Sequence, residues 1–213
     1  MPIYLLSDSI DFPDPQLARK DGLLALGGDL SRERLLLAYR SGIFPWYSRG
    51  EPILWWSPDP RLVLYPSEIR VSRSLKKEIK KDVFRITFDR DFQQVIHRCA
   101  TVRLEKGEPT WITPEMISAF CGLHESGHAH SVEAWQDGIL VGGLYELALG
   151  RCFSGESMFT RVSNASKVAF VFLVNYLRCN NFCMIDCQVS TPHLIGLGAR
   201  PISRIRFLDQ LEK

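Results

Sequence analysis

The chain has 213 residues, 46% of them hydrophobic and 23% charged, with a formal net charge of +2. That composition belongs to ordinary globular proteins and excludes disorder, collagen and coiled coil. The longest strictly apolar run, Val168 to Val174, is far shorter than the ~20 residues that span a bilayer.

The opening segment MPIYLLSDSIDFPDP has no basic stretch and meets Asp8, Asp11 and Asp14 early, unlike a secretory signal. A cytoplasmic location without a membrane partner is expected. Without a secretion signal the six cysteines read as reduced thiols. A monomer is the simplest expectation.

Residues 1–60 are rich in Pro, Gly and Trp, and contain one convincing amphipathic helix, Ser31 to Ser41, with Asp29 and Ser31 as cap signals and Gly42 as its stop. They read as a small irregular N-terminal domain, and 61–213 as a larger one. After Pro58-Asp59-Pro60 a short strand is expected at Arg61 to Tyr65. The net charge is unevenly placed, −2 over residues 1–60, +5 over 61–110 and −1 over 111–213. The excess sits in RVSRSLKKEIKKDVFR, where Arg73, Lys76, Lys77, Lys80 and Lys81 recur at helical spacing. A solvated helix face and a phosphate-contacting patch both fit such a run.

A strand at Phe84 to Phe88 and a helix from Phe92 to Thr101 follow. A second helix spans Thr113 to Glu125, with Thr113 as N-cap and Pro114 at its first position. Three alternating segments, His130 to Gln136, Ile139 to Leu147 and Arg151 to Met158, are joined by Asp137-Gly138 and Leu149-Gly150. They predict an antiparallel meander. A long apolar helix, Asn164 to Cys179, then leads into a strand at Cys183 to Val189, a short helix after Thr191-Pro192, and a last strand near Ile202 to Phe207.

His124-Glu125-Ser126-Gly127-His128 matches the HExxH zinc signature, which works only when both imidazoles project from one continuous helix. Gly127 is placed to end that helix, and His128 to Val132 already alternates like a strand. No metal is expected there. Cys179, Cys183 and Cys187 are spaced by three residues across a helix-to-strand boundary, which is not a zinc-knuckle spacing.

Four of the five Trp lie in or beside loops, in Phe44-Pro45-Trp46-Tyr47, in Trp55-Trp56-Ser57-Pro58 and at Trp111. Large aromatics there either bind something or fill the core of a small domain. Gly155-Glu156-Ser157-Met158-Phe159 places a carboxylate beside an apolar strand end. Ile185-Asp186-Cys187-Gln188 places another inside an apolar strand, with Gln188 on the same face at i+2. Buried carboxylates are costly unless paired or functional.

The ordered blocks FPWY, EPILWWSPDPR, TWIT, LHESGHAHSVE, LVGGLYE, GESMF, NASK, IDCQ and HLIGLGA resemble those of the leucyl/phenylalanyl-tRNA protein transferases, from about Leu23 to Phe207. The resemblance implies an α+β fold, with a small irregular N-terminal domain packed on a GNAT acetyltransferase-like domain whose sheet is mostly antiparallel. It implies transfer of Leu or Phe, less readily Met, from aminoacyl-tRNA to proteins with N-terminal Arg or Lys, and so an N-degron role. By resemblance Asp186, Gln188 and Glu156 are the catalytic residues. Asp186 would orient and polarise the Gln188 amide, whose oxygen draws the amine proton, and Glu156 would help hold the cationic acceptor. Leu144, Phe153, Met158, Phe170, Leu173, Leu177 and Ile185 resemble the pocket for the donor side chain. Trp46 and Trp111 resemble the aromatics that flank the tRNA 3′-terminal adenosine, and the basic helix becomes a tRNA backbone contact.

The chain departs from the pattern at Tyr47, where Phe is usual, and at Glu146, where Gly is common. Arg161 to Ser166 lacks the glycines of a CoA pyrophosphate loop, which argues against an acetyltransferase of small amines. No cofactor is expected, because an aminoacyl ester is already activated and needs alignment and charge stabilisation. A non-enzymatic RNA-binding module would use the same Trp and Lys residues with no role for Asp186 or Gln188.

Overall fold

Side-chain caps start most of the helices, and those at Ser31 and Thr113 are the ones the sequence predicts. In a computed structural model that describes residues 3–211, Ser31, Ser72, Asp91, Thr113 and Thr191 each accept a hydrogen bond from the main-chain N–H three residues on. The elements are β1 (Tyr4–Leu6), β2 (Leu23–Gly27), α1 (Arg32–Arg40), β3 (Phe44–Pro45), β4 (Leu54–Trp56), β5 (Arg61–Leu64), α2 (Arg73–Lys80) and β6 (Arg85–Phe88). There follow α3 (Phe92–Glu105), α4 (Pro114–Glu125), β7 (Ala129–Gln136), β8 (Ile139–Leu149), β9 (Cys152–Thr160) and α5 (Ala165–Cys179). The chain ends with β10 (Met184–Gln188), α6 (Pro192–Gly196), β11 (Arg200–Ile202) and α7 (Arg204–Leu211).

The strands form two sheets, a four-stranded one in the order β1-β2-β4-β3 and a seven-stranded one in the order β11-β5-β10-β9-β8-β7-β6. In the larger sheet only β9 and β10 run parallel, and α5 makes the crossover that a parallel pair requires. The mixed α+β class and the mostly antiparallel sheet agree with the expectation. One apolar cluster, including Trp55, Phe92, Phe120 and Tyr145, joins the small sheet, α1, α3 and α4 to one face of the large sheet. A second cluster, with Leu144, Phe153, Phe170 and Ile185, fills the opposite face beneath α5 and α2. Gly142 lets α5 close on β8, since a Cβ there would meet the Ala165 Cβ at 2.6 Å.

Three readings change. The last segment is not a strand to Phe207: β11 ends at Ile202, and the Ser203 hydroxyl accepts from the Arg206 N–H to start α7. Arg204, Phe207, Leu208 and Leu211 then recur at helical spacing, with Arg204 and Phe207 buried. The third helix runs on past Thr101 to Glu105, because Val102 still packs on the core. The strands of residues 4–56 were not expected; they are five residues or fewer, too short for alternation to register. Among the described residues no helix is long and apolar enough to cross a membrane.

Candidate active site

The β9–β10 ladder pairs Met184 with Cys152, Ile185 with Phe153 and Asp186 with Ser154, and stops there. Beyond that point β9 stays with β8, while β10 turns away through a bulge against β5 that leaves Cys187 unpaired and gives Gln188 a φ of 53°. The strands part, and a cleft of about 410 Å³ opens between them. A second bulge sets its chemistry. Tyr145 pairs with Ser157 and Glu146 with Gly155, so Glu156 is the extra residue between them and is freed from the ladder.

Glu156 Oε1 accepts hydrogen bonds from the Tyr39 hydroxyl at 2.7 Å and from the Gln188 amide Nε2 at 3.3 Å. Among the described residues Oε2 takes no hydrogen bond. Burial pushes the Glu156 carboxyl up to about 8, against the downward pull of the Tyr39 hydrogen bond. Tyr39 is itself held well above the ordinary phenol range by burial and by Glu156, so it stays a donor.

Asp186 is 1% exposed and does not line the cleft. Its Oδ1 and Oδ2 take the Nε and Nη2 of Arg61 at 2.7 and 2.6 Å, and Oδ1 also accepts from the Gln188 main-chain N–H at 3.0 Å. The sequence-based expectation had this carboxylate polarise the Gln188 side-chain amide. In the structure it grips the Gln188 backbone instead, and the amide points to Glu156. The i+2 alternation fails for the same reason, since the bulge at Cys187 intervenes. Arg61 also donates to the Gly42 carbonyl at 3.2 Å and lies 4.8 and 4.5 Å from the Phe44 and Phe207 ring centroids.

Of the apolar positions, Leu144, Met158, Phe170 and Ile185 line the cleft. Phe153, Leu173 and Leu177 do not. They sit in the buried cluster behind that wall, Phe153 against Phe182 with ring centroids 5.7 Å apart. Trp46 and Trp111 also line the cleft. Trp46 is 43% exposed and is held by Trp56, whose Nε1 donates to the Trp46 carbonyl at 2.7 Å. Trp55 is core, fully buried with Nε1 on the Gly27 carbonyl.

Arg73, Lys76, Lys77, Lys80 and Lys81 are exposed along α2 and its end, outside the cleft. The helix anchors through Leu75.

Sequence reasoning missed Tyr39, Arg61, Arg103 and His193. Arg103 and His193 line the cleft, and burial lowers the His193 imidazole pKa, keeping it neutral, with Nε2 buried and unbonded. His193 lies in the quoted HLIGLGA block and was within reach. A wider depression of about 630 Å³ beside Tyr47, Arg49 and Glu115 contains no buried carboxylate.

The HExxH match is broken as its glycine predicts. The helix ends at Glu125, Gly127 has a φ of 76°, and His128 begins the turn into β7. His124 stacks on Phe92 at 4.4 Å and its Nδ1 meets the Ala129 carbonyl at 2.9 Å. Chelation should therefore leave the activity of this cleft unchanged. Transfer measured before and after exhaustive EDTA dialysis checks this, and a loss restored by zinc would contradict it.

Two family models cover the chain: leucyl/phenylalanyl-tRNA protein transferase over residues 63–212, and the N-terminal domain of the same proteins over 28–59. A leucyl/phenylalanyl-tRNA protein transferase of Syntrophobacter fumaroxidans is 60% identical over 211 residues, 99% of this chain and 90% of that protein. One of Desulfatibacillum aliphaticivorans is 60% identical over 213 residues, 100% of this chain and 91% of that protein. Among solved structures, a conserved protein of unknown function from Bacteroides thetaiotaomicron shares the fold with a TM-score of 0.50 and 10% identity, over 84% of this chain and 66% of that one. The chain, matched along nearly its whole length and carrying a cleft with paired carboxyl and amide groups, belongs to the leucyl/phenylalanyl-tRNA protein transferase family and is an aminoacyltransferase.

Proposed function

We propose that this chain transfers Leu or Phe, and less readily Met, from aminoacyl-tRNA to the α-amino group of proteins beginning with Arg or Lys, marking them for N-degron degradation. It acts as a cytoplasmic monomer, with the domain boundary at residues 60/61. The observation that carries the mechanism is the Glu156 carboxyl, bonded to Tyr39 and Gln188, in a cleft lined by Trp46 and Trp111 and by the apolar Leu144, Met158, Phe170 and Ile185.

The amine nitrogen attacks the ester carbonyl carbon, and the bond from that carbon to the ribose oxygen breaks. The proton leaving the nitrogen passes to Glu156, which gives it up again to the ribose oxygen as that departs. A general base works best when its pKa lies near the operating pH. A carboxyl at about 8 matches an α-amine, whose ordinary value is about 7.7–8.0. Gln188 holds Glu156 and offers its amide oxygen to the incoming amine. Asp186 is a positioning residue that acts through the Gln188 backbone, not a free base, because Arg61 engages both of its oxygens.

The donor side chain packs against Leu144, Met158, Phe170 and Ile185, and Phe153, Leu173 and Leu177 back that wall. The terminal adenosine lies between Trp46 and Trp111, where stacking is worth ~1–3 kcal/mol per base. Incubation with radiolabelled Leu-tRNA and a peptide beginning with Arg tests the reading. Label is expected in the peptide, and its absence with an active tRNA preparation would overturn the proposal.

The basic helix supplies electrostatic contact to the tRNA backbone. Replacing Lys76, Lys77, Lys80 and Lys81 by Ala should weaken all tRNAs alike and reduce the salt slope by about one unit per lost contact. Donor preference should stay fixed. Binding measured from low to high salt decides this, and an unchanged slope would return α2 to a solvated face.

A further inference from the structure

One carboxylate in the cleft has no task in the mechanism above. Glu146 is 1% exposed, it lines the cleft, and among the described residues neither carboxyl oxygen has a hydrogen-bond partner. It stands two residues from Leu144 on β8, so both side chains leave the strand on the same face, the one packed beneath α5. Directly opposite on β9 is Gly155, which has no side chain to fill the space beside it. Leu144, Met158, Phe170 and Ile185 make the neighbouring wall. A polar group has thus been placed in the wall that receives the donor side chain, and nothing among the described residues satisfies it.

Burial holds the Glu146 carboxyl well above its ordinary value, and the neighbouring carboxyl groups of Asp89, Glu133 and Glu156 add to this. Both influences favour its neutral form. A neutral carboxyl has one O–H donor and one carbonyl acceptor to offer. Leu and Phe side chains can use neither, so an apolar donor seals the carboxyl away unbonded, which costs free energy. A primary carboxamide is the complementary group, because its N–H and its carbonyl form two hydrogen bonds with the acid at once.

We propose that Glu146 is a specificity-determining residue that extends the donor range of this transferase to aminoacyl groups whose side chain ends in a carboxamide. The side chain of methionine length that does so is glutamine. The inference rests on the transferase reading and concerns only the donor half of the cleft. Met and Gln differ little in length, so their ratio reports the polar contact more than size.

The test charges one tRNA body with either Met or Gln and offers a peptide beginning with Arg to the full chain. The quantity read is the ratio of kcat/KM for Gln to that for Met within each protein, in which losses common to both donors cancel. Removing a hydrogen-bonding partner while the other group stays buried should change that ratio by roughly ten- to hundredfold. The wild-type ratio should therefore exceed that of Glu146→Met by this factor. Glu146→Gln, which keeps a donor and an acceptor, should stay close to wild type. If Glu146→Met fails to fold, Glu146→Ala gives the same comparison. Equal ratios in wild type and the apolar variant, with Met transferred by both, would overturn the role of Glu146. Failure of the wild type to transfer even Leu or Met would instead overturn the transferase reading beneath it.

Discussion

Replacing Arg61 by Leu should lower the free energy of unfolding by about 3–5 kcal/mol, because it strands a buried carboxylate. Arg61 and Asp186 are each 1% exposed, and the guanidinium is the bidentate partner that makes this burial tolerable. The same side chain touches the Gly42 carbonyl and the Phe44 and Phe207 rings, so it ties the small sheet and α7 to β10. Urea denaturation gives the number. Removing both charges together, as Arg61→Leu with Asp186→Leu, should cost less than the sum of the single changes, since no unpaired charge remains. The double variant should still turn over slowly, because the Gln188 N–H loses its acceptor and the amide loses its bearing on Glu156. Equal stability of Arg61→Leu and wild type would show that the pair does not hold the bulge.

Glu156→Gln and Gln188→Ala should each cut kcat by roughly 10²–10⁴, the scale of a positioned proton transfer. Their effects should not add, because Gln188 acts on the amine only together with the carboxyl it holds. Affinity for charged tRNA should remain near wild type in both, as the stacking residues and the basic helix are untouched. Asp186→Asn should also lose turnover, with a loss of stability that the other two do not share. Steady-state transfer with donor and acceptor varied separately, beside a tRNA binding assay, separates these effects. Near-normal kcat in folded Glu156→Gln would remove Glu156 from the chemistry.

The helices and the meander were legible in the sequence because their signals are local. Thr113-Pro114 starts α4, and Asp137-Gly138 turns β7 into β8, with no help from distant residues. The basic face of α2 was readable for the same reason. The residues that make the site work were not local. Arg61 meets Asp186 across 125 positions and Tyr39 meets Glu156 across 117, so no spacing in the sequence announces either pair. Both bulges were invisible too. Each inserts one residue into an alternation that looks regular, and each turns a side chain out of its expected direction, Glu156 into the cleft and Gln188 onto Glu156. The apolar pocket was half legible, because hydrophobicity marks Leu144 and Leu173 alike, and only the third dimension puts one on the cleft and the other behind it. At the C-terminus, Ile202 to Phe207 alternates well enough to suggest a strand, but the Ser203 hydroxyl and the Asp59 carboxylate, 145 positions from Arg204, accept from the first N–H groups of a helix instead.

The most direct test of Glu156 as the proton acceptor is the pH dependence of transfer under acceptor-limiting conditions. Wild-type reaction needs two deprotonations, of the amine and of the carboxyl held at about 8, so log kcat/KM should rise with pH at a slope near two on the acid side and level off above about 8. Glu156→Gln keeps only the amine titration. Its profile should rise with a slope near one, so that the ratio of wild type to variant grows tenfold per pH unit below 7. Parallel profiles for the two proteins, with the same slope at every pH, would contradict the assignment of the proton to Glu156.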